Sequence, residues 1–521
     1  MQISLATMVL TLSPELLVCT SALLLLLAFC MYTKPRRSKH PLQPTDWPIL
    51  GILPSLILNL HRFHDYITEV LPSYEHNLKS CLTSMRFLIT CDPTNVRHVF
   101  TSNHTNYLKG KEFSEMFDVT DGSFFTVDGE PCRRQRARIQ SIFSSPRLLA
   151  LMADCCRDKV EKGVTPFLTR MVTTGAPFDM HDLITRFAFD VTATPIFGVD
   201  PGLLSTGGHN MPLQPTHATV AMDTVMEMAL LRHVLPVCCW KAMRWLNIGP
   251  ERKLAVAHKV LRGFIAEMME RSKLMTSSHT GDQEGPVGPV DNIMSTYIND
   301  PEYNDGLLCA TLINFMIAGR DTIGTALLWL FYSLAQNPDV VSCIRKELFP
   351  IASGKAAHAS TMVIFEPEET KALIYLHATL FESLRLFPPI PIERKTVIAD
   401  DVMPSGHGVC AGDTILVSLY SMGRMEQVWG QDCREYKPER WLSGNGSELR
   451  YVPSHKFLAF NSGPRMCLGK DIAIMQMKTV VAAIVWNFDL EVLEGHSVQP
   501  KFSCILQMKH GLMVKVKKRE M

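Results

Sequence analysis

The sequence has no excess of charge of either sign. Its 52 lysines and arginines nearly balance 51 aspartates and glutamates, so the formal net charge is +1 over 521 residues. A protein that binds nucleic acid needs a basic face or stripe to neutralise the phosphates. The composition provides no such excess, and nucleic acid is therefore not expected as a partner.

The cysteines lack the spacing of zinc sites. The chain has 15 cysteines, but no two of them form a C-x-x-C pair, which is the usual unit of a structural zinc site. Most of them stand in apolar contexts, which predicts reduced, buried small side chains in a cytosol-facing domain instead of a disulfide framework. No internal repeat is evident, so a repeat architecture is not expected either.

The N-terminal segment has the pattern of a membrane anchor. An uncharged, leucine-rich run from Leu16 to Thr33 is followed at once by basic residues between Lys34 and Lys39. A cleaved signal peptide, the alternative, carries its positive charges before the apolar run. By the positive-inside rule, the order seen here leaves the rest of the chain in the cytoplasm. We therefore expect an anchor over 1–33, a basic and proline-rich hinge over 34–54, and a main domain over 55–521.

One ten-residue segment, Phe460 to Gly469, combines the features that a metal-binding thiolate requires. Cys467 lies between two glycines, Gly463 and Gly469, and precedes an apolar segment with helical character. Glycine permits backbone conformations that a side chain blocks, and it lets a loop approach a flat cofactor closely. Unpaired N–H groups at a helix start stabilise an anionic sulfur. Arg465 supplies a cation suited to a carboxylate.

These residues match every defined position of the pattern F-x-x-G-x-R-x-C-x-G, and the sequence thereby resembles the cytochrome P450 family. The resemblance implies a haem b cofactor whose iron is bound by Cys467, with Phe460, Gly463, Arg465 and Gly469 around the cofactor. A thiolate on haem iron favours cleavage of the O–O bond. The alternative interpretation is a buried structural cysteine near a helix start.

A long apolar segment, Gly306 to Gln336, predicts a helix of roughly 45 Å, at 1.5 Å for each of about thirty residues. Its middle, Ala318 to Thr322, resembles the oxygen-activation motif A/G-G-x-D/E-T/S of the family. The resemblance implies that Thr322 and Asp321 are catalytic and deliver protons during oxygen activation. A membrane span is the alternative, but Arg320 and Asp321 at its centre make exposure to lipid costly.

A pair of oppositely charged residues, Glu382 and Arg385, is spaced to share one helix face and to form a bidentate ion pair. In the family this E-x-x-R helix is held by a later arginine, which corresponds here to Arg440 in a Pro-Glu-Arg-Trp segment. The resemblance implies a scaffold role for these three residues, as a charge network that holds the cysteine loop.

Further cations stand where the family binds the haem propionates. Arg136 keeps the family's arginine, and Lys395 occupies the position of a second cation, with Arg394 next to it as the alternative. Cys132 stands where the family commonly has tryptophan, so an indole N–H donor to a propionate is missing. We therefore expect weaker haem retention than in relatives that have the tryptophan.

Amphipathic helical patterns alternate with short strand candidates such as Asp413 to Leu419 and Leu512 to Val516. This alternation predicts a mainly α-helical domain with small β-sheets. The resemblance covers nearly all of the chain after the anchor, and it implies the haem-thiolate monooxygenase fold for the catalytic domain over 55–521.

The motifs around Thr322 and Cys467, together with Leu231 to Val234, resemble the plant clan of fatty-acid omega-hydroxylases and midchain alkane hydroxylases, with the alkane hydroxylase branch as the closest. The resemblance implies hydroxylation of long-chain aliphatic compounds with O2 and electrons from NADPH. The implied partner is NADPH–cytochrome P450 reductase, and the implied location is the endoplasmic reticulum membrane, with one span and a cytosolic catalytic domain. Apolar residues expected to line the substrate pocket are Phe113, Phe117, Phe124, Phe315, Ile317, Ala318 and Met508.

Three alternatives stay open. The first is a fatty-acid omega-hydroxylase instead of a midchain alkane hydroxylase. The second is a haem-thiolate isomerase or dehydratase that uses no reductase, against which the presence of Thr322 argues. The third is a membrane protein that binds haem or lipid without catalysis.

Overall fold

The structure is a computed structural model that describes residues 44–45, 47, 51–82, 85–204, 217–279, 292–298, 300–356 and 362–519. The predicted anchor over 1–33 lies outside the described residues, as does most of the predicted hinge over 34–54.

Helices dominate the described chain. In chain order they are α1 Leu53–Leu58, α2 Phe63–Val70, α3 Pro93–Arg97, α4 Gly110–Met116, α5 Gly129–Phe143, α6 Pro146–Lys159, α7 Thr165–Thr174, α8 Met180–Phe197, α9 His217–Val234, α10 Val237–Leu246, α11 Gly249–His279, α12 Ser295–Ile298, α13 Asp305–Gln336, α14 Pro338–Ala356, α15 Pro367–Lys371, α16 Ile374–Leu386, α17 Leu419–Met422, α18 Glu426–Trp429 and α19 Lys470–Asn487.

The strands are short and form small sheets. They are β1 Asn77–Leu82, β2 Met85–Thr90, β3 Tyr107–Leu108, β4 Phe178–Asp179, β5 Ile392–Val397, β6 Asp401–Val402, β7 Gly408–Val409, β8 Thr414–Ser418, β9 Phe488–Val492 and β10 Met513–Lys518. Among the described residues, a five-stranded sheet has the order β1-β2-β8-β5-β3, and a three-stranded sheet has the order β4-β10-β9. Strands β2 and β8 are parallel, with Phe87 opposite Thr414, whereas β5 and β8 are antiparallel.

Helix α13 forms the centre of the fold. It begins where the Asn304 side chain accepts a hydrogen bond from the Leu307 N–H at 2.9 Å, and it ends at Gln336, ahead of Pro338. Helices α8, α11, α16 and α19 pack against it. Among the described residues, α13 alone is long and apolar enough to cross a membrane, but most of its apolar stretch is buried inside the protein. It is therefore a core helix.

The prediction of a mainly helical domain with small sheets is confirmed. The predicted helix over 306–336 is α13, and the two strand candidates are β8 and β10. The two apolar cores on either side of α13 explain why almost every turn of this helix is buried. A helix buried on all sides presents its few polar groups only to other protein groups or to a cavity. The polar groups of α13 can therefore contact a ligand only where this helix borders a cavity.

Candidate active site

An internal cavity of about 350 Å³ lies between α13 and the loop that precedes α19. Thr322 lines it from α13, and Cys467 lines it from the loop. The volume falls in the range of small-molecule sites, and the lining is mostly apolar. Phe113, Phe117, Phe124, Ile317 and Ala318, which were predicted as pocket residues, all line this cavity.

The cysteine loop is held by its own backbone. The Cys467 N–H donates to the Phe460 carbonyl at 2.8 Å, so the loop closes on itself just before α19. Protein surrounds most of the Cys467 thiol, but one side of the residue is accessible. That open side faces the cavity. Burial raises the pKa of the thiol, while the Gly469 N–H and the Arg136 charge act in the opposite direction. Phe460 also lines the cavity.

The two glycines of the loop differ in what they require. Gly463 has a φ of +58°, and an added Cβ would lie 2.1 Å from the Phe100 carbonyl oxygen, so only glycine fits there. Gly469 has a φ of −91°, and an added Cβ would meet only Phe143, at an ordinary 3.9 Å. The prediction that Gly469 adopts a backbone conformation that requires glycine is therefore wrong. The remaining reason for a glycine here is the expected close approach of the loop to a cofactor.

Helix α13 presents its polar groups to two different environments. Thr322 faces the cavity, and its hydroxyl donates to the Ala318 carbonyl at 2.7 Å. The neighbouring Asp321 is fully buried and contacts Arg320 at 2.5 Å, and Arg320 also contacts Asp223 of α9 at 2.6 Å. Asp321 is absent from the cavity lining, so the structure separates it from Thr322 although the two are adjacent in sequence.

Glu382, Arg385 and Arg440 meet in one buried network. The Arg385 guanidinium donates to both Glu382 carboxylate oxygens at 2.7 and 2.8 Å, and Arg440 donates to Glu382 at 3.2 Å. The Trp441 indole N–H donates to Glu382 at 2.9 Å, and Arg385 also donates to the Cys433 carbonyl at 2.6 Å. The network joins α16 to the chain segment that leads to the cysteine loop, the arrangement that the sequence predicts for these three residues.

Comparison with known proteins identifies the family. The sequence matches the family model for Cytochrome P450 over residues 41–516. The chain belongs to the cytochrome P450 family. It is accordingly a monooxygenase that uses haem iron with a thiolate ligand and receives electrons from NADPH through a reductase.

Several curated P450 relatives cover nearly the whole chain. The chain is 37% identical to noroxomaritidine synthase 2 of Narcissus pseudonarcissus over 515 residues, which is 97% of this chain and 96% of the relative. It is 35% identical to alkane hydroxylase MAH1 of Arabidopsis thaliana over 502 residues, which is 94% of this chain and 97% of the relative. Cytochrome P450 86B1 of Arabidopsis thaliana is 36% identical over 494 residues, covering 92% of this chain and 86% of the relative. Relatives named noroxomaritidine synthase were not anticipated from the sequence.

The residues around the cavity fit the haem that this P450 family uses. The Cys467 sulfur opens on the cavity, and Phe460 lines the cavity beside it. The cations Lys109, Arg136 and Arg465 line the cavity, as does Arg394, and cations of this kind suit the two carboxylates of haem. Cys467 and the cations together could therefore hold haem through its iron and its propionates.

The cations are partly engaged by protein groups. Arg465 donates to the Phe124 carbonyl at 2.9 Å and contacts the Asp128 carboxylate at 2.7 Å. Arg136 donates to the Met466 carbonyl, and burial lowers the pKa of its guanidinium. Arg136 thus lies against the cysteine loop, and Arg465 ties this loop to Phe124 and Asp128.

Lys395 is placed differently from the expectation. It is only 3% exposed and is absent from the cavity lining, and its ammonium lies 4.9 Å from the centre of the Phe100 ring. Burial, and next the charge of Lys109, lower the pKa of Lys395 to about 7. Arg394, the alternative cation, does line the cavity but pairs with Glu112 at 2.7 Å.

Cys132 lies on the first turn of α5 and is 5% exposed. Its thiol is 3.8 Å from the Phe124 carbonyl, and burial raises the pKa of the thiol. An indole at this position must displace its neighbours, and overpacking of this kind typically costs about 1–3 kcal/mol. The weaker haem retention expected from the missing tryptophan stays a prediction.

Two predicted pocket residues are wrong. The Phe315 ring packs against the rings of Phe124 and Phe143 at 5.4 and 6.1 Å and does not reach the cavity. Met508 is 2% exposed and belongs to the apolar core on the other side of α13. Both are ordinary core residues, which residue type and helical pattern do not distinguish from a pocket lining.

Other cavity residues were not predicted as lining residues. Lys109 is 5% exposed and pairs with Glu393 at 2.9 Å, while its ammonium lies 4.2 Å from the Phe113 ring centre. His233 and Phe125 line the cavity as well. No local sequence signal separates Lys109 from the many surface lysines, because its pairing with Glu393 joins segments that lie 284 residues apart.

The Asp321 environment predicts a pH-dependent stability effect. Burial raises the pKa of Asp321 to about 6, and Asp223 adds to this, because two carboxylates share the one guanidinium of Arg320. The folded state therefore holds a proton on Asp321 that the unfolded state releases near pH 4, and this stabilising contribution is lost as the pH rises through about 6. We expect Asp321→Asn, which is permanently uncharged, to gain stability relative to wild type by about 2 kcal/mol between pH 4.5 and 7.

The measurement is the apparent unfolding temperature of both holoproteins at pH 4.5, 5.5 and 7. Asp223→Asn is the matched control, because the pKa of Asp223 is held below its usual range by Arg320, so its substitution removes a favourable charge and destabilises at pH 7. A difference between Asp321→Asn and wild type that is constant over this pH range would contradict the prediction.

Proposed function

We propose that this P450 hydroxylates long-chain aliphatic compounds, alkanes or fatty acids. The observation that carries the proposal is the extended apolar cavity, whose lining includes Cys467 and Thr322 as well as Leu56 and Phe63 of the first two helices. An aliphatic chain gains free energy from burial against such a surface, at about 0.8 kcal/mol per CH₂ group. Alkane hydroxylase MAH1, 35% identical, supports the same substrate class by its name.

Cys467 is proposed as the ligand of the haem iron, and Arg136, Arg465 and Lys109, which line the cavity, as partners of the propionates. When bound, haem supplies oxygen activation and the oxidation of a C–H bond. One oxygen atom enters the substrate as a hydroxyl group and the other leaves as water, with two electrons from NADPH and two protons. Phe460 and Gly463 shape the loop that presents the Cys467 sulfur.

Thr322 is proposed to hold a proton at the wall of the cavity. Its hydroxyl lies at the cavity and donates to the Ala318 carbonyl, and a hydroxyl can both donate and accept. Asp321 is proposed to resupply protons from the buried side of α13, where its Oδ2 has no hydrogen-bond partner among the described residues. Transfer requires Asp321 to loosen its contact with Arg320.

The test of the function is product formation in membranes that contain this protein and NADPH–cytochrome P450 reductase. We expect hydroxylated products from long alkanes or fatty acids only when NADPH, O2 and the reductase are all present. The position of the new hydroxyl group separates terminal from midchain hydroxylation. Products that form without NADPH would instead indicate an isomerase or dehydratase, and intact haem protein without any product would overturn the proposal.

Replacing Thr322 by valine is expected to lower the amount of product per NADPH consumed by at least about tenfold, since a positioned proton donor contributes about a hundredfold or more. Valine keeps the shape and removes the hydroxyl. The matched control is Thr311→Val on the same helix, because Thr311 is 1% exposed and its hydroxyl has no hydrogen-bond partner among the described residues. Equal coupling in the two variants, measured as product against NADPH oxidation, would contradict the role of Thr322.

We also propose attachment to the endoplasmic reticulum membrane with the catalytic domain in the cytosol. The uncharged run from Leu16 to Thr33 and the basic residues after it support this. Exposed apolar residues at the junction of α10 and α11 support a second contact with lipid, since Trp245 is 85% exposed and Leu246 and Ile248 are each 49% exposed.

A further inference from the structure

Two imidazoles, those of His64 and His233, line the mostly apolar cavity, and that of His233 lies among aromatic rings. His233, near the end of α9, lines the cavity together with Phe113, Phe117 and Phe125. Its ring centre lies 6.3 Å from that of Phe113 and 6.0 Å from that of Phe117, in edge-to-face arrangements. Protein surrounds the His233 imidazole on most sides. The residue is half-buried, and its accessible surface faces the cavity.

The backbone of α9 fixes which nitrogen of His233 carries the hydrogen. Nδ1 lies 2.7 Å from the Ala229 carbonyl oxygen, one helical turn earlier. A carbonyl oxygen can only accept, so Nδ1 donates, and in the neutral ring Nε2 is left as an acceptor. No described residue donates a hydrogen bond to Nε2, although this nitrogen is not sealed from the cavity. An acceptor that stays unpaired in an apolar environment is destabilising, so a donor is expected to pair with it.

Nearby charges keep this imidazole neutral. Burial, and next the charge of Arg394, lower the pKa of His233 to about 3, and Lys109 acts in the same direction. Arg394 is held in place by Glu112 at 2.7 Å, and Lys109 by Glu393 at 2.9 Å. Each cation is therefore fixed by its own carboxylate, and His233 presents an acceptor at neutral pH.

We propose that Nε2 of His233 accepts a hydrogen bond from a hydroxyl group of the substrate, and that the preferred substrates among long-chain aliphatic compounds are alcohols. This inference rests on the proposed aliphatic substrate class and, within it, moves the preference from alkanes and fatty acids to alcohols. Arg394 and Lys109 repel an ammonium donor, and a carboxylate offers only acceptors to an acceptor nitrogen. A plain alkane leaves Nε2 without a partner. The hydroxyl group thus anchors the molecule beside the Phe113, Phe117 and Phe125 rings, while its apolar body fills the rest of the cavity.

The experiment compares three compounds of one chain length, 1-dodecanol, dodecanoate and dodecane, with the holoprotein in membranes. Binding is measured as the change in haem absorption on titration, in wild type, His233→Phe and His233→Gln. Phenylalanine keeps a flat ring and removes the acceptor, whereas the glutamine Oε1 can still accept. We expect His233→Phe to weaken dodecanol binding about fivefold and to leave dodecane within about twofold, because one hydrogen bond is worth about 1 kcal/mol. His233→Gln is expected to retain part of the preference.

Comparing each compound between wild type and variant cancels its solubility in water and membrane. An equal change in the affinities for dodecanol and dodecane would overturn the inference. It would mean that a water molecule, and not the substrate hydroxyl, donates to Nε2. Tightest binding of dodecanoate, lost in His233→Phe, would also overturn it, because the ring must then carry a proton. If none of the three compounds changes the absorption of a protein whose thiolate-bound haem is intact, the aliphatic substrate class itself is wrong, and this inference falls with it.

Discussion

Replacing Cys467 by serine is expected to abolish the thiolate-type band in the carbon monoxide difference spectrum and to remove monooxygenase activity. Cys467 is the cysteine at the end of a loop closed by the Phe460 carbonyl, and its open side faces the cavity opposite Thr322. A serine hydroxyl is not deprotonated at neutral pH and is a poor ligand for this iron. Residues that only hydrogen-bond to a metal ligand already contribute about 10–100-fold to activity. Loss of the ligand itself is therefore expected to lower activity at least about a hundredfold.

The matched control is Cys504→Ser, because Cys504 is a second cysteine that lines the same cavity. Burial raises the pKa of its thiol to about 12, so it is a neutral thiol and not a ligand candidate. We expect this variant to keep the thiolate-type band and its activity. A normal band in Cys467→Ser, or its loss in Cys504→Ser, would show that the ligand has been assigned to the wrong residue.

Much of the fold and the cysteine loop could be predicted because the determining residues are close together in sequence. The segment from Phe460 to Gly469 contains its own turn and its own hydrogen bond, and it ends at the residue before α19. The long helix α13 is likewise visible as one uninterrupted pattern with a polar cap at Asn304. Local physical requirements such as these, a capped helix or the positive φ of Gly463, can be inferred from neighbouring residues alone.

The parts of the site that were missed depend on contacts between distant segments. Asp321 and Thr322 are adjacent, yet the ion pair of Arg320 with Asp223 of α9 determines that Asp321 turns away from the cavity. Lys109 acquires its place from Glu393 on β5. Phe315 has the residue type of a pocket wall, but its ring packs against those of Phe124 and Phe143 instead. Tertiary packing decides these cases, and a single sequence carries no local trace of it.

Replacing Glu382 by glutamine is expected to produce the largest loss of stability of any single charge removal considered. The Glu382 side chain is 0% exposed, and its carboxylate binds the Arg385 guanidinium through both oxygens, along with Arg440 and the Trp441 indole. Removing one partner leaves buried cations without a counter-charge, which costs about 3–5 kcal/mol. For a domain of this size that corresponds to roughly 3–5 °C in the apparent unfolding temperature, with a parallel loss of haem incorporation.

Glu368→Gln provides the matched control, because Glu368 and Lys371 have the same i,i+3 spacing at 2.5 Å but side chains that are 76% and 67% exposed. Solvent screens this pair, so its loss is expected to cost less than about 0.5 kcal/mol and to leave haem content unchanged. The two substitutions are chemically identical, so the difference between their unfolding temperatures and haem contents measures what burial adds. Of the two glutamates, only Glu382 contacts Arg440, which belongs to the segment that leads to the cysteine loop. Similar effects of the two substitutions would therefore mean that the Glu382 network does not hold this loop.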